Sequence, residues 1–142
     1  MSGLFDLALW LAGVGHFCIL AASFQVPARL GWKEDLAQLT PFNRKLMWTY
    51  GAFTVLTIVA FGALTLGLHN ELLRGERAAL ALAGFIGVYW VARILVDAFY
   101  FDHADWPRGK GYVLGHTMLT GLFIALASTY VGLVAWRLIL PT

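Results

Sequence analysis

Read as a string of apolar and polar positions, the chain holds four long stretches free of Asp, Glu, Lys and Arg. They cover 7–24, 46–68, 78–92 and 111–136, about 18, 23, 15 and 26 residues. A bilayer core takes ~20 helical residues. The pattern therefore predicts an all-α, polytopic membrane protein: one antiparallel four-helix transmembrane bundle over 1–142, with helices at about 4–25, 41–68, 77–101 and 111–138. Pro27 disfavours a helical Val26, so the first helix is expected to stop near Gln25. Thr40 followed by Pro41 is a start signal for the second: a capping hydroxyl, then a residue suited to the first helical position. The third span is completed only by admitting Arg93 and Asp97. The linkers 27–39, 69–77 and 102–110 carry most of the charge, and the last is broken by Pro107 and Gly109.

Four spans put both termini on one side. The other side, which holds the first and third loops, carries Arg29, Lys33, Arg44, Lys45, Arg108 and Lys110, six cations against Arg74, Arg77 and Arg137. By the positive-inside rule that loop side is cytoplasmic and the N- and C-termini face outward, as in a bacterial inner-membrane protein. Trp32, Trp48, Trp106 and Trp136 lie near span ends, where interfacial aromatics collect.

Composition agrees. Hydrophobic residues make up 60% and charged residues 13%, against ~25% charged in soluble domains. The first span lacks a basic n-region and has Asp6 there instead, so it reads as a retained helix and not a cleaved leader. Cys18 is the sole cysteine, which excludes an intramolecular disulfide and Cys-based zinc or iron–sulfur sites. A net charge of +2, with no P-loop or GxGxxG pattern, gives no reason to expect nucleic acid or nucleotide. The expected partners are the lipid bilayer and a membrane-protein partner or second copy. Recurrent glycines, such as Gly111 and Gly115, suit close helix packing or the approach of a flat ligand.

The candidate chemistry lies in four ionisable side chains within the spans: His16, Arg93, Asp97 and His116. Each is costly in hydrocarbon and marks a site by default. Measured from the helix ends on the loop side, His16 lies ~13 Å deep, His116 ~7 Å, Arg93 ~12 Å and Asp97 ~6 Å. The four are expected to face inward and line one cavity in that half. Arg93 and Asp97, four apart on one face, form either a self-neutralising pair or the candidate catalytic pair, Arg93 binding an anionic group and Asp97 orienting it. His16 and His116 each follow a glycine. They make either two separate interhelical hydrogen bonds or a shared ligand set: the axial ligands of a b-type haem with Arg93 on a propionate, or a non-haem metal site with Asp97. No CxxCH is present for covalent haem attachment. At the loop-side rim, Asp102, His103, Asp105 and Trp106 with Asn43, Arg44 and Lys45 make either a solvated loop or an entrance for a headgroup or proton.

His16, the run Pro27-Ala28-Arg29-Leu30, and Asn43-Arg44-Lys45-Leu46 leading into a glycine-rich helix together resemble small four-helix haem-associated membrane families, the HemJ-like protoporphyrinogen oxidases and the CopD-like proteins. The resemblance covers about the first 65 residues. Arg93 stands in the helix where such oxidases carry a lysine. The resemblance implies haem, and with it oxidoreductase-type activity. Two other readings stand beside it. One is a lipid- or isoprenoid-handling protein using Arg93 for an anionic headgroup. The other is an accessory subunit whose polar residues serve packing.

Overall fold

The computed structural model describes residues 2–105 and 107–140. It is all-α, an antiparallel bundle of four membrane-length helices, as the apolar pattern predicts. These are α1 (Ser2–Arg29), α3 (Pro41–Gly67), α5 (Arg77–Phe99) and α6 (Lys110–Ile139), all long and apolar enough to cross a membrane. Two short helices lie between them in stretches expected to be linker, α2 (Trp32–Ala37) and α4 (His69–Arg74), with a 3-10 turn at His103–Asp105. No strand occurs among the described residues.

The helix ends follow local chemistry. Thr40 accepts a hydrogen bond from the Asn43 N–H at 3.5 Å, and Pro41 opens α3 as expected. α1 runs past its expected stop and takes Pro27 into its last turn. The missing proline N–H removes one bond there, but the Leu30 N–H still reaches the Val26 carbonyl at 2.9 Å. The helix stops at Gly31, whose φ of 67° is one that a side chain would disfavour. Arg44 then donates to the carbonyls of Leu36, Ala37 and Leu39 at 3.0–3.2 Å, closing the C-terminal end of α2.

α3 packs on α1, α1 on α6 and α6 on α5. α3 and α5 meet through the Phe61 ring against Phe85 and Tyr89. One end of the bundle is fixed by Phe5 stacked on Trp136 at 4.9 Å and by His69 Nε2 against Asp6 at 2.6 Å. At the other, the Tyr112 hydroxyl donates to the Arg29 carbonyl and Trp32 meets Trp48. Large apolar side chains such as Phe53, Phe85, Val88 and Met118 point outward. On α3, Thr54 and Thr57 turn their hydroxyls back to the carbonyls of Tyr50 and Phe53. Outward apolar bulk with self-satisfied hydroxyls is what lipid contact requires. The chain is an integral membrane protein.

Packing is uneven along the bundle. The core runs from Phe5, Ala79 and Leu133 to Ile19, Ile58 and Phe123. Residues 41–57 of α3 and 110–122 of α6 contain no buried position, which leaves about 25 Å and 20 Å of those helices loosely covered at 1.5 Å per residue. The half towards the first and third loops is open.

The closed half is tied by polar side chains from all four spans. The Trp90 indole N–H donates to His16 Nε2 at 3.0 Å, and Thr65 Oγ1 pairs with the Tyr130 hydroxyl at 2.6 Å. All four residues are buried. An indole can only donate and a carbonyl can only accept. His16 is therefore the neutral tautomer with its proton on Nδ1, which donates to the Ala12 carbonyl at 2.8 Å.

Two outcomes test this packing. A Cβ at Gly62 would lie 2.9 Å from the Phe17 ring and 3.1 Å from His16 Cβ, whereas one at Gly115 meets nothing within 4 Å. Gly62→Ala should destabilise by about 1–3 kcal/mol through overpacking, and Gly115→Ala should be neutral or mildly stabilising. Thermal unfolding in detergent micelles reads both, and equal tolerance of the two would contradict the close approach of α1 and α3. Trp90→Phe strands His16 Nε2 and should cost about 1–2 kcal/mol. Adding His16→Leu should recover part of that loss, a coupling that a double-mutant cycle measures.

Candidate functional site

α5 acts as a ruler for the polar residues. Trp90 belongs to the sealed layer with His16. Arg93 follows one turn later and Asp97 one turn after that, where packing loosens. Asp97 is buried at 8% exposure and presents Oδ2 to His116 Nε2 of α6 at 3.5 Å. That separation is an electrostatic contact longer than a tight hydrogen bond. Arg93 is half-buried. Its guanidinium carbon lies 5.5 Å from the centre of the Phe123 ring and 5.7 Å from that of Phe101. These are cation–π distances. Among the described residues its guanidinium makes no ion pair or hydrogen bond. On α6, Thr120 lies between His116 and Phe123, and its buried hydroxyl has no hydrogen-bond partner among the described residues.

This arrangement corrects one of the two expected readings, the self-neutralising ion pair of Arg93 with Asp97. Four residues of separation make them neighbours on α5, but α6 supplies each with something else: an imidazole for Asp97 and an aromatic face for Arg93. The single cavity lined by all four candidates is not formed either. Asp97, His116 and Arg93 gather at the seam of α5 and α6, whereas His16 is sealed in the layer below with Phe61, Trp90 and Tyr130 around it.

Nor are the two histidines brought together. Their partners on α5, Trp90 and Asp97, are seven residues apart, so His16 and His116 dock ~10 Å apart along that helix. Both nitrogens of His16 are engaged, leaving no lone pair for iron or another metal. No group of three or more His, Cys, Asp or Glu side chains able to hold a metal occurs among the described residues. The histidines as arranged do not fit a bis-imidazole haem or a metal shared with Asp97.

At the rim, Asp102 accepts from the Ala104 N–H at 2.9 Å in a local turn, and Arg44 is spent on α2. Trp106 and the side chain of His103 lie outside the described residues. An open groove of about 570 Å³ runs along Gly109, Lys110, Val113, Leu114 and Thr117, none of them a candidate residue.

The sequence reading missed Trp90, Tyr130 and Thr65 because it weighed only ionisable groups. Depth could have found Trp90. Eleven residues from position 101 place it ~16 Å inside, close to His16 at ~13 Å. It also missed the contact between Asp6 and His69, where the His69 ring stacks on Trp10 at 4.4 Å.

The chain matches no family model and no solved structure. Over 72 residues, 49% of its length, it is 35% identical to the probable peptidoglycan glycosyltransferase FtsW of Aromatoleum aromaticum. The chain spans only 18% of that relative's length.

Proposed function

We propose that the protein is a lipid-handling membrane protein in which Arg93, at the margin of the open half of the bundle, binds the anionic headgroup of a lipid. The carrying observation is the state of Arg93: a guanidinium inside a span with no carboxylate on it among the described residues. An arginine at mid-helix costs ~2.5–3.5 kcal/mol on insertion scales. Two aromatic faces return ~0.5–2 kcal/mol each. A phosphate taken in a forked, charge-assisted pair would offset the remainder. The unpartnered Thr120 hydroxyl offers a further donor on the facing helix. Loosely covered stretches of α3 and α6 leave a headgroup a way to Arg93 from the loop side. The excess of cations at the first and third loops favours a cytoplasmic headgroup side and outward termini in a bacterial inner membrane. The partial match to a probable peptidoglycan glycosyltransferase covers too little of that protein to lend its activity.

The experiment is lipid analysis of the purified protein beside an absorption spectrum. Wild type should retain phospholipid or isoprenoid phosphate. Arg93→Ala should lose that lipid by at least ~10-fold, equivalent to ~1.4 kcal/mol, and Arg93→Lys should retain part of it. Equal lipid content in wild type and Arg93→Ala, at equal thermal stability, would sink the reading. A Soret band abolished by the double substitution His16→Ala and His116→Ala would replace it with the haem reading, and would require His16 to leave Trp90.

A further inference from the structure

We infer that the lipid of this site carries a primary ammonium as well as a phosphate, a zwitterionic aminophospholipid of the phosphatidylethanolamine kind. The inference rests on the headgroup reading above and narrows it. Arg93 and Asp97 lie one turn apart on α5, ~6 Å along its axis, and do not neutralise each other. Asp97 spends one oxygen on a 3.5 Å contact with His116, and Arg93 spends its ring-facing surface on Phe101 and Phe123. What remains is a pair of opposite charges on residues one turn apart that form no ion pair with each other. A headgroup that is only anionic would satisfy Arg93 and bring further negative or neutral oxygen atoms against a buried carboxylate, an unfavourable juxtaposition. A zwitterion satisfies both.

Length agrees with this assignment. The path from phosphorus to nitrogen is four bonds of ~1.5 Å, a reach of ~5 Å, commensurate with one helical turn. A primary ammonium has three N–H donors for the Asp97 oxygens, as a lysine head has. A quaternary choline has none, so the site discriminates between two headgroups of equal net charge.

The test is lipid retention by the detergent-solubilised protein, measured by native mass spectrometry. The probes are dioleoyl phosphatidylethanolamine, its N-acetylated derivative, dioleoyl phosphatidylglycerol and chain-free glycerophosphoethanolamine. Wild type should hold phosphatidylethanolamine at least ~10-fold more tightly than the N-acetylated and glycerol lipids. Asp97→Asn should erase that preference, and Arg93→Ala should weaken binding of all three. The comparison of lipids on wild type needs no variant to fold. Equal binding of the three lipids by wild type, with all still weakened by Arg93→Ala, overturns the zwitterion and leaves the headgroup reading intact. Retention that ignores Arg93 overturns both. Displacement of the lipid by an equal concentration of glycerophosphoethanolamine overturns the membrane source and assigns the site to a soluble headgroup.

Discussion

The hydrogen bond from the Trp90 indole to His16 is the contact on which the rest of the bundle depends. Lipid offers no partner to a polar group, so a polar side chain within a span must find one inside the protein. His16 does so twice, holding its own helix through Ala12 and α5 through Trp90. Thr65 and Tyr130 do the same for α3 and α6. The hydrophobic effect does not drive helices together in a bilayer, because lipid tails are as apolar as leucine. Association rests on packing and on such directional bonds. The stacking of Trp90 on Phe123 at 5.1 Å and the approach of Gly62 to His16 then fix rotation and distance around the bonded layer.

That layer separates a half built for stability from a half left for chemistry. Below it, small residues and aromatics close the bundle, and His69 with Asp6 and Trp10 ties the far end. Above it, α3 and α6 offer long unburied surfaces, and the remaining intramembrane charge sits at their margin. Charge placed in the closed half would have needed full internal pairing, since a buried unpaired ion costs several kcal/mol. At the margin, Arg93 can reach aromatic faces on one side and a polar ligand on the other.

How much of this was legible in the sequence depends on the distance over which each feature is decided. The spans, the Thr40 and Pro41 start, and the inward placement of His16 follow from composition and from neighbours a few residues away. The run of α1 through Pro27 was missed because one lost backbone bond does not end a helix whose next bonds still close, as that from the Leu30 N–H to the Val26 carbonyl does. α2 and α4 were missed because each is held by partners outside itself: Arg44 for α2, and Asp6 with Trp10 for α4. Depth counting put Asp97 and His116 at a common level, where they meet, but it carries no information about helix rotation. Rotation decides that Asp97 turns to His116 and that Trp90 takes the His16 lone pair.

The parting of Arg93 from Asp97 shows why that distinction matters for function. Spacing of four residues makes an ion pair the simplest expectation, and such a pair would leave a neutral, inert patch in the membrane. In the structure the two charges are satisfied separately and incompletely, one by ring faces and one by a long contact to an imidazole. Opposite charges held a turn apart in a low-dielectric setting form a field that only a ligand with matching separated charges can fill without penalty. The fold supports this arrangement because the polar layer below has already fixed the register of α5 against α6. The partners that α6 offers, an imidazole to Asp97 and the Phe123 face to Arg93, and not the local sequence of α5, decide where the two side chains go.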